Sequence, residues 1–214
     1  EQVIERAAGI PGVYVPSLYD IRYDRAGFIK NVEIKGGTDF PIVRQVTNPL
    51  PPAVHSTIIT PEAEFTDSFL VEIARGCPYS CRFCTMGNTG KPCRFRKFED
   101  IRKSIDKGLE ITRHVGLLGA AVGSHPDMAE ILDYIVKRDG SVSFSSLRAD
   151  ALKPEIISAL ASMGQKTITL APEVGSDSLR RSIGKTMTAA LLMETADNAL
   201  RAGFTEIRVY LMYG

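Results

Sequence analysis

The sequence predicts an α/β protein with parallel strands, and the prediction rests on the pattern of apolar residues after residue 65. There, short apolar segments alternate with segments in which apolar residues recur at helical spacing. The apolar segments are nearly continuous, which is typical of strands that are covered on both faces of a parallel sheet. Alternation of strands and helices at this spacing requires parallel strands and right-handed crossovers. A partial barrel and a doubly wound sheet both satisfy these rules.

Five strands are predicted from this pattern, at residues 69–74, 114–121, 142–147, 167–171 and 207–212. Helices are predicted between them, at residues 98–110, 128–136, 154–164 and 188–202. Pro154 and Gly164 stand at the start and the end of the third helix, in agreement with the preferences of proline and glycine for helix ends. Ser124 and Asp127 have the spacing of a capping box before the second helix.

The first 65 residues differ from the rest of the chain. Residues 19–24 and 28–34 alternate apolar with polar positions around a turn, which predicts a β-hairpin. Proline then recurs between residues 41 and 61 and disfavours long helices and central strands. We therefore divide the chain into a small β-rich accessory or linker segment, residues 1–65, and a core domain, residues 66–214. Because the chain lacks an initial Met and stops directly after an apolar run, we expect a fragment whose core domain is truncated at its C-terminus.

The charge of the chain is balanced, since 26 Lys and Arg residues against 25 Asp and Glu residues give a net charge of +1. This balance provides no electrostatic reason to expect a nucleic-acid or membrane partner. The longest mostly apolar stretch, residues 115–122, is too short to cross a bilayer, and the N-terminus lacks the features of a signal peptide. These features predict a cytoplasmic protein.

Four cysteines in such a chain favour metal or redox chemistry over a disulfide framework. Cys77, Cys81 and Cys84 fall within RGCPYSCRFC, and thiolates at these intervals can bind three of the four irons of a 4Fe–4S cluster. The remaining iron is then open to a ligand that is not protein, whereas structural sites normally have four protein ligands. A zinc site or a cluster of core cysteines is the alternative. We interpret Cys93 as a buried or loop thiol.

The spacing C-x-x-x-C-x-x-C, with Phe83 before the last cysteine, resembles the signature of the radical S-adenosylmethionine (SAM) superfamily. The resemblance implies a 4Fe–4S cluster on Cys77, Cys81 and Cys84, whose open iron binds the amino and carboxylate groups of SAM. It implies reductive cleavage of SAM to a 5′-deoxyadenosyl radical, with electrons from a reductant such as flavodoxin or ferredoxin. Phe83 would pack near the adenine. The resemblance also selects a partial (βα)6 TIM-like barrel with about five parallel strands.

Later segments resemble the strand ends of one subgroup, whose members often carry a cobalamin-binding domain before the barrel. These segments are FSSLRADAL (144–152), TLAPEVGSDSLRRSIGK (169–185) and RVYLMYG (208–214). GIPGVYVPSLYDIRY (9–23) is similar to the connector that follows such a domain. The sequence contains no D-x-H-x-x-G cobalamin signature, so cobalamin could bind only through a domain absent from this chain. It also lacks the Gly-Gly-Glu motif of many family members, in whose place GLLGAAVGSH (116–125) stands.

Three polar residues near strand ends are candidates to bind SAM on the strength of this resemblance. Glu173 follows the fourth strand, where a carboxylate can bind ribose hydroxyls, and its alternative role is a helix partner or a surface charge. Arg148 ends the third strand and can bind the SAM carboxylate, or instead form a salt bridge to Asp150 or Glu173. Ser145 could also donate a hydrogen bond to SAM.

The sequence therefore predicts a radical SAM enzyme that acts on an unknown substrate. One alternative is a cobalamin-dependent radical SAM methyltransferase. An alternative of another class is an iron–sulfur module for electron transfer or structure, without SAM chemistry. Among the remaining polar residues, we expect the basic residues at 94–97 to form a solvated face. His125 could line the mouth of the site, but we expect it to cap a helix or to be exposed, as is more common for a histidine near a helix start.

Overall fold

The computed structural model describes residues 2–36, 40–144 and 146–213. The chain forms two compact units, Glu1–Asn48 and Pro49–Gly214. Residues 49–65 therefore pack with the second unit, and the domain boundary near residue 65 stays a prediction. Ser145, a predicted SAM contact, lies outside the described residues.

The first unit contains the hairpin that the sequence predicts. Its elements are α1 (Gln2–Ala8), β1 (Tyr19–Tyr23) and β2 (Ile29–Ile34), and the two strands pair antiparallel. The turn between them is closed by the carboxylate of Asp24, which accepts hydrogen bonds from the backbone N–H groups of Ala26 and Phe28, each at 2.9 Å. Aspartate is common in such turns because its short side chain can bond to the backbone two residues on.

The second unit alternates strands and helices. Its strands are β3 (Phe69–Glu72), β4 (Ala74–Arg75), β5 (Arg94–Phe95), β6 (His114–Leu118), β7 (Ser141–Ser143), β8 (Thr167–Glu173) and β9 (Glu206–Leu211). Its helices are α2 (Thr85–Thr89), α3 (Phe98–Leu109), α4 (Met128–Val136), α5 (Pro154–Ser162), α6 (Asp177–Ser182) and α7 (Ala189–Ala202). Within the described residues, no helix has the length and apolar character that crossing a membrane would require.

The larger strands lie parallel and in sequential order, as predicted. β3 pairs with β6, β6 pairs with β7, and β8 pairs with β9. Leu147, which follows β7, forms a single parallel bridge with Leu170 of β8 and so connects the two parts of the sheet. β6 ends at Leu118 rather than at residue 121, because Gly119 begins the turn that leads to α4. Small apolar residues in a turn cannot be distinguished from a buried strand by hydrophobicity alone.

The predicted linker contributes one edge of this sheet. His55 forms an antiparallel bridge with Val71 of β3. The N–H of Ser56 donates to the Leu70 carbonyl, and the N–H of Glu72 donates to the Val54 carbonyl, each at 2.9 Å. These bonds satisfy backbone groups of β3 that would otherwise form an open edge.

One hydrophobic core joins the strands to the helices. Val71 of β3 and Ile73, which follows β3, are fully buried with Ile101 and Ile105 of α3, and side chains of α4, α5 and α7 belong to the same core. Full burial of each such aliphatic side chain contributes about 1.5–3 kcal/mol. β3 alternates buried and half-buried residues, so its second face is less covered than its apolar sequence indicates.

Helix ends are capped as the sequence predicts for α5 and α7. Thr188 precedes α7, and its hydroxyl accepts a hydrogen bond from the N–H of Leu191 at 3.2 Å. Gly203 ends the helix in the left-handed conformation, with φ at 101°. Pro154 begins α5, and Gly164 follows it with φ at 81°. Left-handed φ values are available to glycine without steric strain, which explains its position after both helices.

The expectation that residues 94–97 form a solvated face is wrong for Arg96, which is only 3% exposed. Its guanidinium forms an ion pair with Glu72 at the end of β3 and donates to the carbonyls of Pro51 and Pro52. Burial raises the pKa of Glu72, but hydrogen bonds and charges from Arg75 and Arg96 outweigh it, so the pKa lies below its usual value. Arg96 is therefore a structural clamp between β3 and the proline-rich segment.

We predict that Arg96→Met lowers the free energy of unfolding by about 3 kcal/mol, because it leaves the partly buried Glu72 without this partner. The change is measured as a shift of the urea midpoint at pH 7. The control is Lys137→Met, which breaks the exposed Lys137–Asp133 pair and should cost less than about 1 kcal/mol. Equal losses in the two variants would contradict the clamp.

Candidate functional site

The three predicted cluster ligands lie on one loop, Gly76–Cys84, which we call the cysteine loop. It follows β3 and β4 at the C-terminal edge of the parallel strands. β4 and β5 pair antiparallel and so bring together the two ends of the segment 76–93, which contains the cysteine loop and α2. The predicted location of the loop, at the edge where parallel α/β proteins place their binding sites, is thus confirmed.

A glycine is required where the loop begins. Gly76 has a φ of 82°, and a Cβ atom added there would lie 1.9 Å from the carbonyl oxygen of Gly90, after α2. The backbone of the cysteine loop therefore packs directly against the segment that returns to β5. No other residue type fits this contact.

Cys77 and Cys81 are each 8% exposed, Cys84 is half-buried, and all are free thiols. Burial raises the pKa of Cys81, and the opposing effect of the nearby Arg148 and Lys185 charges is smaller. Among the described residues, no three His, Cys, Asp or Glu side chains are grouped to hold a single metal ion. In a 4Fe–4S cluster each thiolate binds a different iron, so the cysteines need not converge on one point. Three thiols of one sheltered loop are therefore compatible with the predicted cluster.

Cys93 lies at the base of the loop, where its thiol is 3.7 Å from the Gly76 carbonyl oxygen. It is half-buried, and burial together with the proximity of Cys77 raises its pKa. This arrangement agrees with the interpretation of Cys93 as a buried or loop thiol, and the thiol contacts the backbone at the start of the cysteine loop.

Tyr79 fastens the middle of the cysteine loop to two neighbouring strand ends. Its hydroxyl lies 2.8 Å from the hydroxyl of Ser124, which follows β6, and the guanidinium of Arg148 lies 3.7 Å from the centre of its ring. The predicted capping box is wrong, because Asp127 makes no side-chain cap bond and Ser124 bonds to Tyr79 instead. The segment that replaces the Gly-Gly-Glu motif thus contacts the cysteine loop.

Arg148 lies between the loop and an acidic partner. Its Nε and Nη2 atoms donate to the two carboxylate oxygens of Asp150 at 2.8 and 2.6 Å. Its Nη1 atom lies 3.9 Å from Sγ of Cys81. The salt bridge to Asp150, which the sequence offered as an alternative, is therefore present. The same guanidinium also contacts Cys81 in the cysteine loop. The contact of Arg148 with SAM stays a prediction.

Glu173 ends β8 in an unusual backbone conformation. Its φ is 68°, in the left-handed region, and the register of β8 against β9 shifts between Leu170 and Glu173. Such a conformation costs a residue with a Cβ about 1–2 kcal/mol, and bulges of this kind redirect side chains next to active sites. The carboxylate of Glu173 accepts a hydrogen bond at 2.8 Å from Nζ of Lys185.

The segment Ile183–Lys185, which we call the tether, joins the end of β8 to the cysteine loop. The carbonyl of Ile183 accepts a hydrogen bond from the N–H of Arg82 at 2.8 Å. Gly184 has a φ of 81°, and a Cβ atom there would lie 2.6 Å from the Ser80 carbonyl oxygen. Lys185 is 5% exposed, and its ammonium donates to the Ala171 carbonyl as well as to Glu173.

Phe83 and His125 complete the comparison with the sequence predictions. Phe83 is 46% exposed on the loop, with Nζ of Lys185 5.8 Å from the centre of its ring, and its contact with adenine stays a prediction. His125 is buried, its Nε2 donates to the Arg96 carbonyl, and its Nδ1 accepts from the N–H of Asp127. Burial lowers the pKa of His125. It therefore holds backbone at the start of α4 and is not exposed.

Sequence reasoning missed three residues of this site. Tyr79 lies inside the cysteine motif and Ser124 inside a glycine-rich segment, but neither carries a signal that would pair them across the fold. Lys185 stands between Gly184 and a polar residue, where a lysine is usually solvated. Its burial next to the cysteine loop becomes visible only in the structure.

The sequence matches the family model described as the radical SAM superfamily over residues 71–214. This match includes the cysteine loop, Arg148, Glu173 and the tether. The chain therefore belongs to the radical SAM superfamily, in which cleavage of SAM by a 4Fe–4S cluster is general.

A curated relative is an uncharacterized protein of Methanocaldococcus jannaschii, 31% identical over 215 residues. The alignment covers 100% of this chain and 44% of the relative, so the chain spans less than half of the relative's length. The activity of the whole protein is accordingly a matter for proposal.

Two solved structures share the fold. One is the cobalamin-dependent SAM radical enzyme OxsB with aqua-cobalamin and SAM bound, with a TM-score of 0.55 and 17% identity over 91% of this chain and 30% of that chain. The other is the radical SAM methyltransferase TsrM from Kitasatospora setae with cobalamin and a [4Fe–4S] cluster bound. Its TM-score is 0.55 at 13% identity, covering 68% of this chain and 31% of that chain. At these identities the similarity shows the fold alone.

We predict that Gly184→Ala impairs the seating of the cysteine loop. The new Cβ atom would overlap the backbone of Ser80, next to Cys81, and the backbone would have to shift. Gly164→Ala is a matched control, because Gly164 has the same φ of 81° after α5, but a Cβ atom added there would meet nothing within 4 Å.

Both alanine variants should lose about 1–2 kcal/mol from the left-handed backbone. Only Gly184→Ala should also take up less iron after anaerobic reconstitution. Equal iron content in the two variants, measured against the parent, would contradict the role of the tether in seating the loop.

Proposed function

We propose that this chain is the core of an enzyme that starts radical chemistry on an unknown substrate. Cys77, Cys81 and Cys84 would hold a 4Fe–4S cluster and leave one iron for the amino and carboxylate groups of SAM. When bound, the cluster supplies the electron that cleaves SAM reductively to a 5′-deoxyadenosyl radical. The observation that carries the proposal is the convergence of the cysteine loop, Arg148 and Glu173 at one edge of the parallel strands.

The polar residues of this edge suit the groups that SAM presents. Oε1 of Glu173 bonds to Lys185, and Oε2 has no hydrogen-bond partner among the residues that the structure describes. Oε2 can therefore accept hydrogen bonds from ribose hydroxyls. Nη1 of Arg148 is the guanidinium nitrogen that does not bind Asp150, and it can brace the SAM carboxylate. Phe83 offers an exposed ring for the adenine, and Ser145 is proposed as a further donor.

The proposed architecture is a partial (βα)6 barrel. Sequential parallel strands support it, and so does a single core that receives side chains of α3, α4, α5 and α7. A doubly wound sheet would divide such helices between two faces and two cores. In the proposed barrel, the half-buried second face of β3 would form part of the inner wall.

The setting of the enzyme follows from its chemistry. A cluster of this kind needs an external electron donor, and we propose a soluble protein such as flavodoxin or ferredoxin. Balanced charge and free cysteines support a cytoplasmic location, without a nucleic-acid or membrane partner.

A second candidate function is that of a cobalamin-dependent radical SAM methyltransferase. It is supported by the shared fold with OxsB and TsrM, whose structures contain cobalamin. In this case cobalamin would be held by a domain that this chain does not include. An electron-transfer or structural module without SAM chemistry remains the alternative of another class, and it predicts that SAM does not bind.

We predict that anaerobic reconstitution loads about four irons and four sulfides per chain, and that SAM perturbs the electron paramagnetic resonance spectrum of the reduced cluster. Replacing Cys77, Cys81 or Cys84 by Ala should each abolish the intact cluster, because three thiolates are the minimum that fixes the cube. Cys93→Ala is the matched control and should load iron like the parent. A requirement for Cys93, or an unperturbed spectrum with SAM, would count against the proposal.

We further predict that Glu173→Gln binds SAM about tenfold more weakly, because an amide accepts ribose hydrogen bonds less strongly than a carboxylate. Equilibrium dialysis of the reconstituted protein measures the dissociation constant. Glu206→Gln is the control, since Glu206 is an exposed glutamate paired with Arg208 on β9. If Glu173→Gln binds SAM as tightly as the parent, Glu173 does not bind SAM and its role is structural.

A further inference from the structure

We propose that Lys185 is a positioning residue of the SAM site, which acts through Glu173 and does not itself contact SAM. This inference rests on the proposed function. Lys185 lies in the tether, and although it ends the segment 169–185 that resembles the subgroup, the sequence assigned no role to it. The positioning role rests on three observations: the burial of Lys185, its two acceptors, and its position against the cysteine loop.

The first observation is the burial of the ammonium. Lys185 is 5% exposed, and lysine is seldom buried to this extent unless it is paired. A buried ammonium without partners is strongly unfavourable, so its acceptors must hold it firmly. Those acceptors are the Ala171 carbonyl and Oε1 of Glu173, both from the end of β8. The ammonium therefore fixes one oxygen of Glu173 relative to the strand backbone.

The second observation concerns the direction of the Glu173 side chain. Its φ of 68° and the adjacent register shift turn the residue out of the regular strand. A left-handed backbone does not select one rotamer for the carboxylate, but a bond to a buried ammonium does. With Oε1 held in this way, Oε2 has a defined position and is available to a ribose.

The third observation is that the tether, which contains Lys185, also contacts the cysteine loop. Ile183 bonds to the backbone of Arg82, and Gly184 packs on the carbonyl of Ser80, on either side of Cys81. SAM must reach the open iron and the ribose acceptor at once, so the distance between them has to be constant. The tether sets this distance, because it carries the partner of Glu173 and the seat of the loop within three residues.

Lys185 is poorly placed to bind SAM directly. Two of the three ammonium donors are used by the protein, and its side chain is 6% exposed against 16% for Glu173. Glu173 is thus the more accessible member of the pair. An effect of Lys185 on SAM binding should for this reason disappear when the Glu173 carboxylate is removed.

The test compares four reconstituted proteins: the parent, Lys185→Met, Glu173→Gln and the double variant. Iron and sulfide content, the spectrum of the reduced cluster without SAM, and the dissociation constant of SAM per loaded cluster are measured for each. We expect Lys185→Met to load the cluster and to bind SAM about tenfold more weakly than the parent. The double variant should bind SAM within about twofold of Glu173→Gln, because Lys185 then has no carboxylate to position.

The double variant also keeps the test decisive if Lys185→Met is unstable, because it removes both buried charges together. If it binds SAM clearly more weakly than Glu173→Gln, Lys185 contacts SAM itself and the inference is overturned. If Lys185→Met loads the cluster and binds SAM as tightly as the parent, the lysine is merely structural and the inference is also overturned. Lys137→Met is the control for loss of a lysine from a carboxylate pair on the surface.

Failure of the proposed function would look different. In that case the parent itself would carry the cluster but bind no SAM, and none of the variants could change an affinity that does not exist. An effect confined to the Lys185 and Glu173 variants therefore separates the two proposals.

Discussion

The parallel pairing of successive strands is the constraint on which this structure depends. Because the strands β3, β6, β7, β8 and β9 run in the same direction, the residues that follow β3, the Leu147 bridge and β8 all emerge at one edge. Residues that are almost a hundred positions apart, such as Cys77 and Glu173, thereby come to share one site. The hydrophobic core beneath keeps the strands in register, and polar chemistry can accumulate at the edge without disturbing it.

Two buried cations stabilise the ends of this sheet in the same way. Arg96 joins Glu72 to proline carbonyls beside the first strand, and Lys185 joins Glu173 to a carbonyl at the end of β8. In both cases a carboxylate neutralises the cation and backbone carbonyl oxygens accept further hydrogen bonds from it, while Nε of Arg96 has no hydrogen-bond partner among the described residues. Burial of a cation is strongly unfavourable unless a carboxylate and backbone acceptors compensate for the lost hydration. The two clamps therefore specify geometry where hydrophobic contacts, which have no direction, cannot.

The cysteine loop is fastened on several sides by the protein itself. Tyr79 connects it to Ser124 and Arg148, the tether holds its second half, and the β4–β5 ribbon closes its base. Thiols that are already sheltered and positioned lose little conformational freedom when they bind a cluster. The same contacts hold the cysteine loop in a fixed position relative to the carboxylate of Glu173. The residues that stabilise the loop are for this reason among those that we propose for the site.

The sequence by itself determined the order and direction of the main strands, the caps of α5 and α7, and the identity of the cysteine loop. These features depend on local periodicity, on residue types at helix ends and on a spacing of thiols, all of which are written along the chain. The tertiary structure decided the burial of Arg96, the bond between Tyr79 and Ser124, and the pairing of Lys185 with Glu173. It also assigned residues 54–56 to the edge of β3. The sequence does not identify the partner of a charged or hydroxyl side chain. The partner depends on proximity in three dimensions and on the free-energy cost of leaving a buried polar group unpaired.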